Sequence, residues 1–322
     1  MDEPVVVIVT EPEFYKAETI FAAAQGLRCV VAPAKEGELA DVIRRTGAHA
    51  AVVGVLPYRD GLYAVLPKGG VVARFGVGHD GIDKAAATRA GILCTNTPDT
   101  LHQSVAELTM LLVLAAARHL PAVTAPLTSG RWQPRVGSEV RGRSLAVIGR
   151  GRIGTAVMQM ANDGFGMNVV CAGRGDDFAI AARDADFISL HLPAHADTRH
   201  FLNRETLAIL SPQAWVINTA RGSLIDEAAL YDALVAGRIA GAALDVFERE
   251  PYQPADSARD LRTLPNVILT PHIGSNTAEA NARMAARALH NIRLARAGDY
   301  ASMDLLNREV VRVLKETGNR NQ

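Results

Sequence analysis

The 322-residue sequence has little cysteine, no surplus of either charge and no long apolar run. Cys29, Cys94 and Cys171 are its three cysteines; they are scattered, and none stands at metal-ligand or redox-pair spacing. No metal site or disulfide framework is expected, and reduced core thiols in a cytoplasmic protein are. Lys+Arg and Asp+Glu balance at 34 each, so neither nucleic acid nor a membrane surface is suggested as a partner. The longest apolar run, Leu108 to Ala117, is too short to span a bilayer. Strand-like Val5 to Val9 follows Met-Asp-Glu-Pro without a basic flank or cleavage region, so no secretory leader is expected. There is no solenoid repeat, and low complexity is confined to the polar end Gly318 to Gln322. What remains is 48% hydrophobic and 21% charged, a globular composition with room for two domains.

The chain is organised around Ser144 to Gly154, SLAVIGRGRIG. Leu145 to Ile148 is short and apolar, as a buried parallel strand would be. Gly149, Gly151 and Gly154 follow at G-x-G-x-x-G spacing, and Thr155 to Ala161 continues without a helix breaker. In that context the first glycine permits a tight turn, the second close approach to a pyrophosphate, and the third close packing of helix on strand. The helix N-terminus then offers unpaired N–H groups to the phosphates.

One further absence bears on the choice of ligand. A carboxylate is expected about 20 residues on, where it would hold the adenosine ribose. After the second strand, Asn168 to Ala172, stand Gly173, Arg174 and Gly175 instead. An arginine in that place favours a 2′-phosphate, hence NADP over NAD, although Asp176 and Asp177 are close enough to keep NAD in play.

Before this unit, Val5 to Val9, Arg28 to Val31, Ala50 to Gly54, Val71 to Arg74 and Ile92 to Thr95 read as strands. Helical stretches near Pro12 to Ala24, Gly37 to Thr46 and Lys84 to Ala90 alternate with them, giving a small parallel α/β unit. Gly76 to Gly81 follows a strand and can offer N–H groups to a small anion, or be an ordinary turn. Val105 to Arg118 reads as a helix apolar almost all round, capped by Ser104 and buried between domains or at a subunit contact. Pro121 and Pro126 are expected to break it. Ser129 to Arg143 is loop-like, with Trp132 either a pocket wall or a core residue. From Ser144, six strands predict a doubly wound sheet: the two already named, then Phe187 to Leu190, Ala214 to Asn218, Gly241 to Val246 and Val267 to Thr270. A long helix, Ala278 to Ala297, leaves this unit, and the tail returns to the first.

Ligands of open α/β sheets lie beyond the carboxyl ends of the strands. There the later strands carry Arg221, the acids Glu248 and Glu250, and His272. An arginine can grip a carboxylate and polarise the adjacent carbonyl. A histidine can exchange the proton on that oxygen, and a neighbouring glutamate favours its charged form. His79 is the main rival base, His102, His191 and His195 are less well placed, and periodicity does not separate Glu248 from Glu250.

These motifs taken in order, VGHDGID (77–83), NTP (96–98), VAE (105–107), GRGRIG, HLP (191–193), NTARG (218–222), LDVFEREP (244–251) and TPHIGSNT (270–277), resemble the D-specific 2-hydroxyacid dehydrogenases over nearly the whole chain. The resemblance is to the glyoxylate/hydroxypyruvate reductase-like members. It implies a doubly wound Rossmann coenzyme domain, 100–276, inserted in a flavodoxin-like α/β substrate domain made of 1–99 and 277–322. It implies Arg221 as substrate grip, His272 as acid–base and Glu250, the acid before proline, as its support. Substrate contacts would come from Val77, Gly78 and His79, with domain closure excluding water. Coenzyme contacts would come from Ser104 and from the glycine loop with Arg150, Arg152 and Ile153. Gly173, Arg174, Leu192, Pro193 and Thr198 would add to them, as would Thr219, Ala220, Arg221, Asp245, His272 and Gly274. Asp245 would lie near the nicotinamide carboxamide.

The expected activity is hydride transfer between NADP(H), or NAD(H), and a 2-oxoacid/D-2-hydroxyacid pair, by a homodimer paired through Val105 to Ala117. A dinucleotide-sensing, corepressor-like binding protein is the rival from another class. Formate or phosphite oxidation is the rival within the scaffold; Glu250 stands where the formate type carries glutamine, and the loop at His79 lacks the phosphite type's lysine.

Overall fold

The computed structural model describes residues 4–318, so all of the polar end but Gly318 lies outside the described residues. The chain divides into two compact units, one running to Leu101 and resuming at Asn276, the other His102 to Ser275.

In the first unit β1 (Val5–Thr10), β2 (Leu27–Ala32), β3 (Ala50–Val53), β4 (Val71–Arg74) and β5 (Leu93–Thr95) form a parallel sheet in the order β2-β1-β3-β4-β5. Residues of β3 and β4 are buried on both faces, which is why they read as Val/Ala runs, broken only by Arg74 at the end of β4. Ile8, Leu39, Ile43, Leu62, Val72 and Ile92 fill one side of the sheet. The Pro12 to Ala24 stretch is two short helices, Glu11–Lys16 and Glu18–Ala22, separated where Ala17 leaves helical geometry at φ −146°. A helix at Asp60–Val65, only six residues long, escaped the sequence pattern. The final segment is tied to β5: Asn307 accepts from Cys94 N–H and donates to Ile92 O, each at 2.9 Å.

In the second unit β6 (Ser144–Ile148), β7 (Asn168–Ala172), β8 (Phe187–Leu190), β9 (Trp215–Asn218), β10 (Gly241–Leu244) and β11 (Val267–Leu269) are parallel, in the order β11-β10-β9-β8-β6-β7. The strand order reverses at β6, between β7 and β8, and a doubly wound sheet binds its ligand at such a switch point.

Three local expectations are corrected. The apolar helix begins at His102, so Ser104 lies in its first turn, buried, and is not its cap. Most of this helix is buried against the helix Arg152–Gln159 and against β9 and β10, which makes it a core element of this unit. The prolines do not end it. His119, at φ 50°, makes the break, and the next helix, Leu120–Thr128, takes Pro121 in its first turn and holds Pro126 within it. A first-turn N–H has no helical partner to lose, so Pro121 fits there without cost. Trp132 is 83% exposed and belongs to no core. Among the described residues no single helix is long and apolar enough to cross a membrane.

Candidate active site

The glycine loop joins β6 to the helix Arg152–Gln159, which starts directly after Gly151, three residues before the expected Thr155. Gly149 has φ 118°, a conformation that favours glycine, and its N–H donates to Ala172 O at 2.8 Å. A Cβ on Gly154 would lie 2.1 Å from Gly149 O, whereas one on Gly151 would meet nothing within 4 Å. Helix and loop are therefore pressed together at Gly154 and open at Gly151, the shape a pyrophosphate needs. The Ile153 side chain packs on the core, which leaves its backbone for any ligand, and Arg150 and Arg152 are exposed. This cradle fits a dinucleotide.

At the end of β7, Gly173 N–H donates to Asp176 Oδ2 at 2.8 Å, and Arg150 pairs with the same carboxylate. Asp177 is spent on a cap, accepting from Ala179 N–H at 2.8 Å. Arg174 is exposed and makes no hydrogen bond or ion pair among the described residues. Beyond β8, Thr198 donates to Pro193 O at 2.7 Å and so braces the turn after Leu192.

The chemistry gathers at β9, β10 and β11. Asn218, Leu244 and Leu269 are aligned in register, so the residues that follow each strand emerge at one level. After β9, Asn218 donates through Nδ2 to Arg221 O at 2.8 Å and accepts from Ala220 N–H at 3.0 Å, shaping the turn that presents Arg221. Gly222 is mandatory in packing terms: a Cβ there would lie 1.8 Å from the carbonyl carbon of Phe247. The Arg221 turn thus rests on the loop carrying the acids. Thr219 is buried, its hydroxyl 2.9 Å from that of Thr109.

Past β10, Asp245 accepts from Thr270 Oγ1 at 2.6 Å, Ile273 N–H at 2.9 Å and Gly274 N–H at 2.8 Å. Burial pushes its carboxyl up, against the pull of these donors and the charge of His272. This buried acid fastens the Thr270 to Gly274 turn, including His272 at φ 52°, an uncommon conformation for a non-glycine residue.

Glu250 and Glu248 separate here. Glu250 accepts from Phe247 N–H through Oε1 at 3.0 Å, and its Oε2 lies 2.6 Å from His272 Nδ1. Glu248 pairs instead with His200. Burial raises the Glu250 carboxyl, but the His272 hydrogen bond and charge, Phe247 N–H and the charge of Arg221 outweigh it, and the net shift is down. A carboxylate only accepts, so the His272 hydrogen on this side belongs to Nδ1, and proton exchange falls to Nε2.

Of the other histidines, His191 is half-buried, and desolvation drives its pKa down to about 4; its Nε2 faces Ser189 Oγ at 2.8 Å. Val77, Gly78 and His79 lie in the first unit, in the loop after β4. There Asn96 holds Val77 O at 2.8 Å, and Lys84 Nζ is 3.2 Å from His79 Nδ1.

Sequence reasoning missed Glu227. It is buried, accepts from Glu248 N–H at 2.8 Å and anchors the acid-bearing loop; burial raises its carboxyl. Its place in a helix first turn, where acids are common for dipole reasons, hides it.

A glycine cradle at the switch point and a histidine–carboxylate pair beside an arginine define the class, a nicotinamide-dependent dehydrogenase. The sequence profile of the family described as "D-isomer specific 2-hydroxyacid dehydrogenase, NAD binding domain" matches residues 110–274. A D-3-phosphoglycerate dehydrogenase of Methanocaldococcus jannaschii is 48% identical over 226 residues, 65% of this chain; the match spans 42% of that relative's length. A glyoxylate reductase of Korarchaeum cryptofilum is 36% identical over 293 residues, 84% of this chain and 87% of the relative. The solved structure of an NADPH-dependent glyoxylate/hydroxypyruvate reductase from Sinorhizobium meliloti, in complex with NADP and malonate, has a TM-score of 0.79 at 29% identity, covering 95% of this chain and 98% of the other. The chain belongs to the D-isomer-specific 2-hydroxyacid dehydrogenases and is an oxidoreductase of that family.

Proposed function

We propose that the protein reduces a small 2-oxoacid to its D-2-hydroxyacid and prefers NADPH to NADH. The observation that carries the first part is His272 Nδ1 at 2.6 Å from Glu250, at strand ends level with Arg221. A bound reduced nicotinamide supplies the hydride for the carbonyl carbon. The guanidinium of Arg221 grips the substrate carboxylate and polarises the carbonyl. His272 delivers a proton from Nε2 to the carbonyl oxygen, and Glu250 keeps the ring oriented. In the oxidative direction Nε2 takes that proton back. Glyoxylate and hydroxypyruvate, which the relatives' names carry, are the first candidates.

The NADP preference rests on Gly173, which leaves room for a 2′-phosphate, and on the exposed, unpaired Arg174. The test crosses NADPH and NADH with glyoxylate, hydroxypyruvate, pyruvate and phenylpyruvate, following nicotinamide absorbance. One charge-assisted hydrogen bond to the phosphate predicts a preference for NADPH of roughly one decade in kcat/KM. Gly173→Asp with Arg174→Ala should reverse it. No turnover on any of the four acids sinks the substrate class; a tenfold preference of the wild type for NADH sinks the cofactor choice.

We also propose a homodimer. Leu111, Leu120, Leu127, Trp132 and Val136 are exposed apolar side chains on the helices His102–Ala117 and Leu120–Thr128 and the loop that follows, which a second copy would cover in this reading. Sedimentation equilibrium should give twice the 34.3 kDa chain mass; a monomer at micromolar concentration would remove the assignment.

A further inference from the structure

The end of β7 is more than an absence of the ribose-binding acid. Two donors converge there on one oxygen: Gly173 N–H at 2.8 Å and the Arg150 guanidinium, both on Asp176 Oδ2. Asp176 N–H closes the turn onto Gly173 O at 3.2 Å, which holds the carboxylate close to its own nest. Arg150 reaches it by crossing over Gly173, where an added Cβ would lie 3.5 Å from Arg150 Cδ and Nε. A Cβ at 173 would therefore stand in ordinary van der Waals contact with the arm that the pair depends on. Asp177, the other acid nearby, is committed to its helix cap.

A backbone N–H and a guanidinium converging on one anionic oxygen are the donors a phosphate oxygen also seeks. We infer that Asp176 is an internal competitor for the adenosine 2′-phosphate: its carboxylate fills the Gly173–Arg150 nest, and NADP gains the nest only by displacing it. The inference rests on the dinucleotide reading and refines it. Arg150 and Arg174 supply the attraction for a 2′-phosphate, and Asp176 sets how much of it is available. A ligand ending in a free 2′-hydroxyl has no charge to exchange with the carboxylate, so its affinity does not depend on breaking the pair. Asp176 is a selectivity element and takes no part in hydride or proton transfer.

The test is calorimetric titration of the full chain with 2′,5′-ADP, which carries the 2′-phosphate, and with 5′-ADP, which lacks it. Asp176→Asn keeps an oxygen acceptor for Gly173 N–H and removes the charge. It should tighten 2′,5′-ADP by about tenfold and change 5′-ADP by less than about twofold. Arg150→Ala should weaken 2′,5′-ADP and abolish the gain from Asp176→Asn in the double variant. Raising salt from ~50 to ~500 mM should shrink the gain, because the site is open to solvent. Unchanged or weaker 2′,5′-ADP binding in Asp176→Asn overturns the inference. So does a selective loss of 5′-ADP, which would assign Asp176 to the ribose hydroxyls. Failure of both nucleotides to bind wild type at millimolar concentration would instead overturn the dinucleotide reading beneath it.

Discussion

His272→Ala is expected to lower kcat by roughly 10²–10⁴-fold while the dissociation constant for coenzyme stays nearly unchanged. In barrier terms that is about 3–5.5 kcal/mol, the range for losing a positioned general acid. The expectation falls on this histidine because of what surrounds the others in its unit. His191 is held neutral by desolvation, His195 caps a turn against Thr198, and His200 is paired with Glu248. The His272 side chain is 33% exposed, with Nδ1 on Glu250 and no partner for Nε2 among the described residues. His79→Ala is the control. Comparable loss there, with His272→Ala still active, would transfer the role.

Glu250→Gln separates support from chemistry. The wild-type carboxyl is held below the ordinary carboxylate range, so its pairing stabilises the fold fully above that range. The contribution is lost as pH falls through the depressed folded value. Thermal unfolding of Glu250→Gln should differ from wild type at neutral pH and converge with it in acid. kcat for reduction should fall, because an amide holds the His272 ring through Nδ1–H less strongly than a carboxylate does. An unchanged kcat would remove Glu250 from the role.

How much of this was legible depended on where burial acts. All six strands of the second unit were readable within a residue or two, because each is a short, mostly apolar run bounded by turn residues, even at the edge strand β7, where Asn168 and Val170 are exposed. The helix His102–Ala117 was readable for the same reason, but not its start: Ser104 is a good cap by local preference, and packing extends the helix past it. Pro121 shows the converse, a breaker by composition that a helix accepts in its first turn. Glu248 and Glu250 lie two residues apart in a loop, where no period applies. Family resemblance assigned Glu250, and the physical reason is visible only in three dimensions: the loop turns Glu250 back to Phe247 N–H and onto His272. Asp176 was readable as a nearby acid, and its hold on Arg150 and Gly173 was not, since both contacts depend on the turn after β7.

Arg221→Lys should lower kcat/KM by about 10²-fold or more although the charge is conserved. Arg221 is set in extended geometry, φ −146° and ψ 138°, with its carbonyl held by Asn218 and the next residue, Gly222, pressed against Phe247. The backbone is therefore not free to carry a shorter or differently aimed head group toward a substrate. One guanidinium N–H is already committed, Nη1 to Ala220 O at 2.6 Å, and that bond fixes the plane of the fork. A planar guanidinium can meet carboxylate and carbonyl oxygens together, whereas an ammonium offers a point charge on a flexible stem. If the fork acts on the carbonyl as it gains negative charge, kcat falls along with kcat/KM; if it only binds carboxylate, KM rises and kcat holds. The variant keeps the positive charge beside Glu250, so the pH profile should stay in place while the rate falls. Near-wild-type kinetics would mean that Arg221 supplies charge alone, and a shifted profile would mean that its main service is to the Glu250–His272 pair.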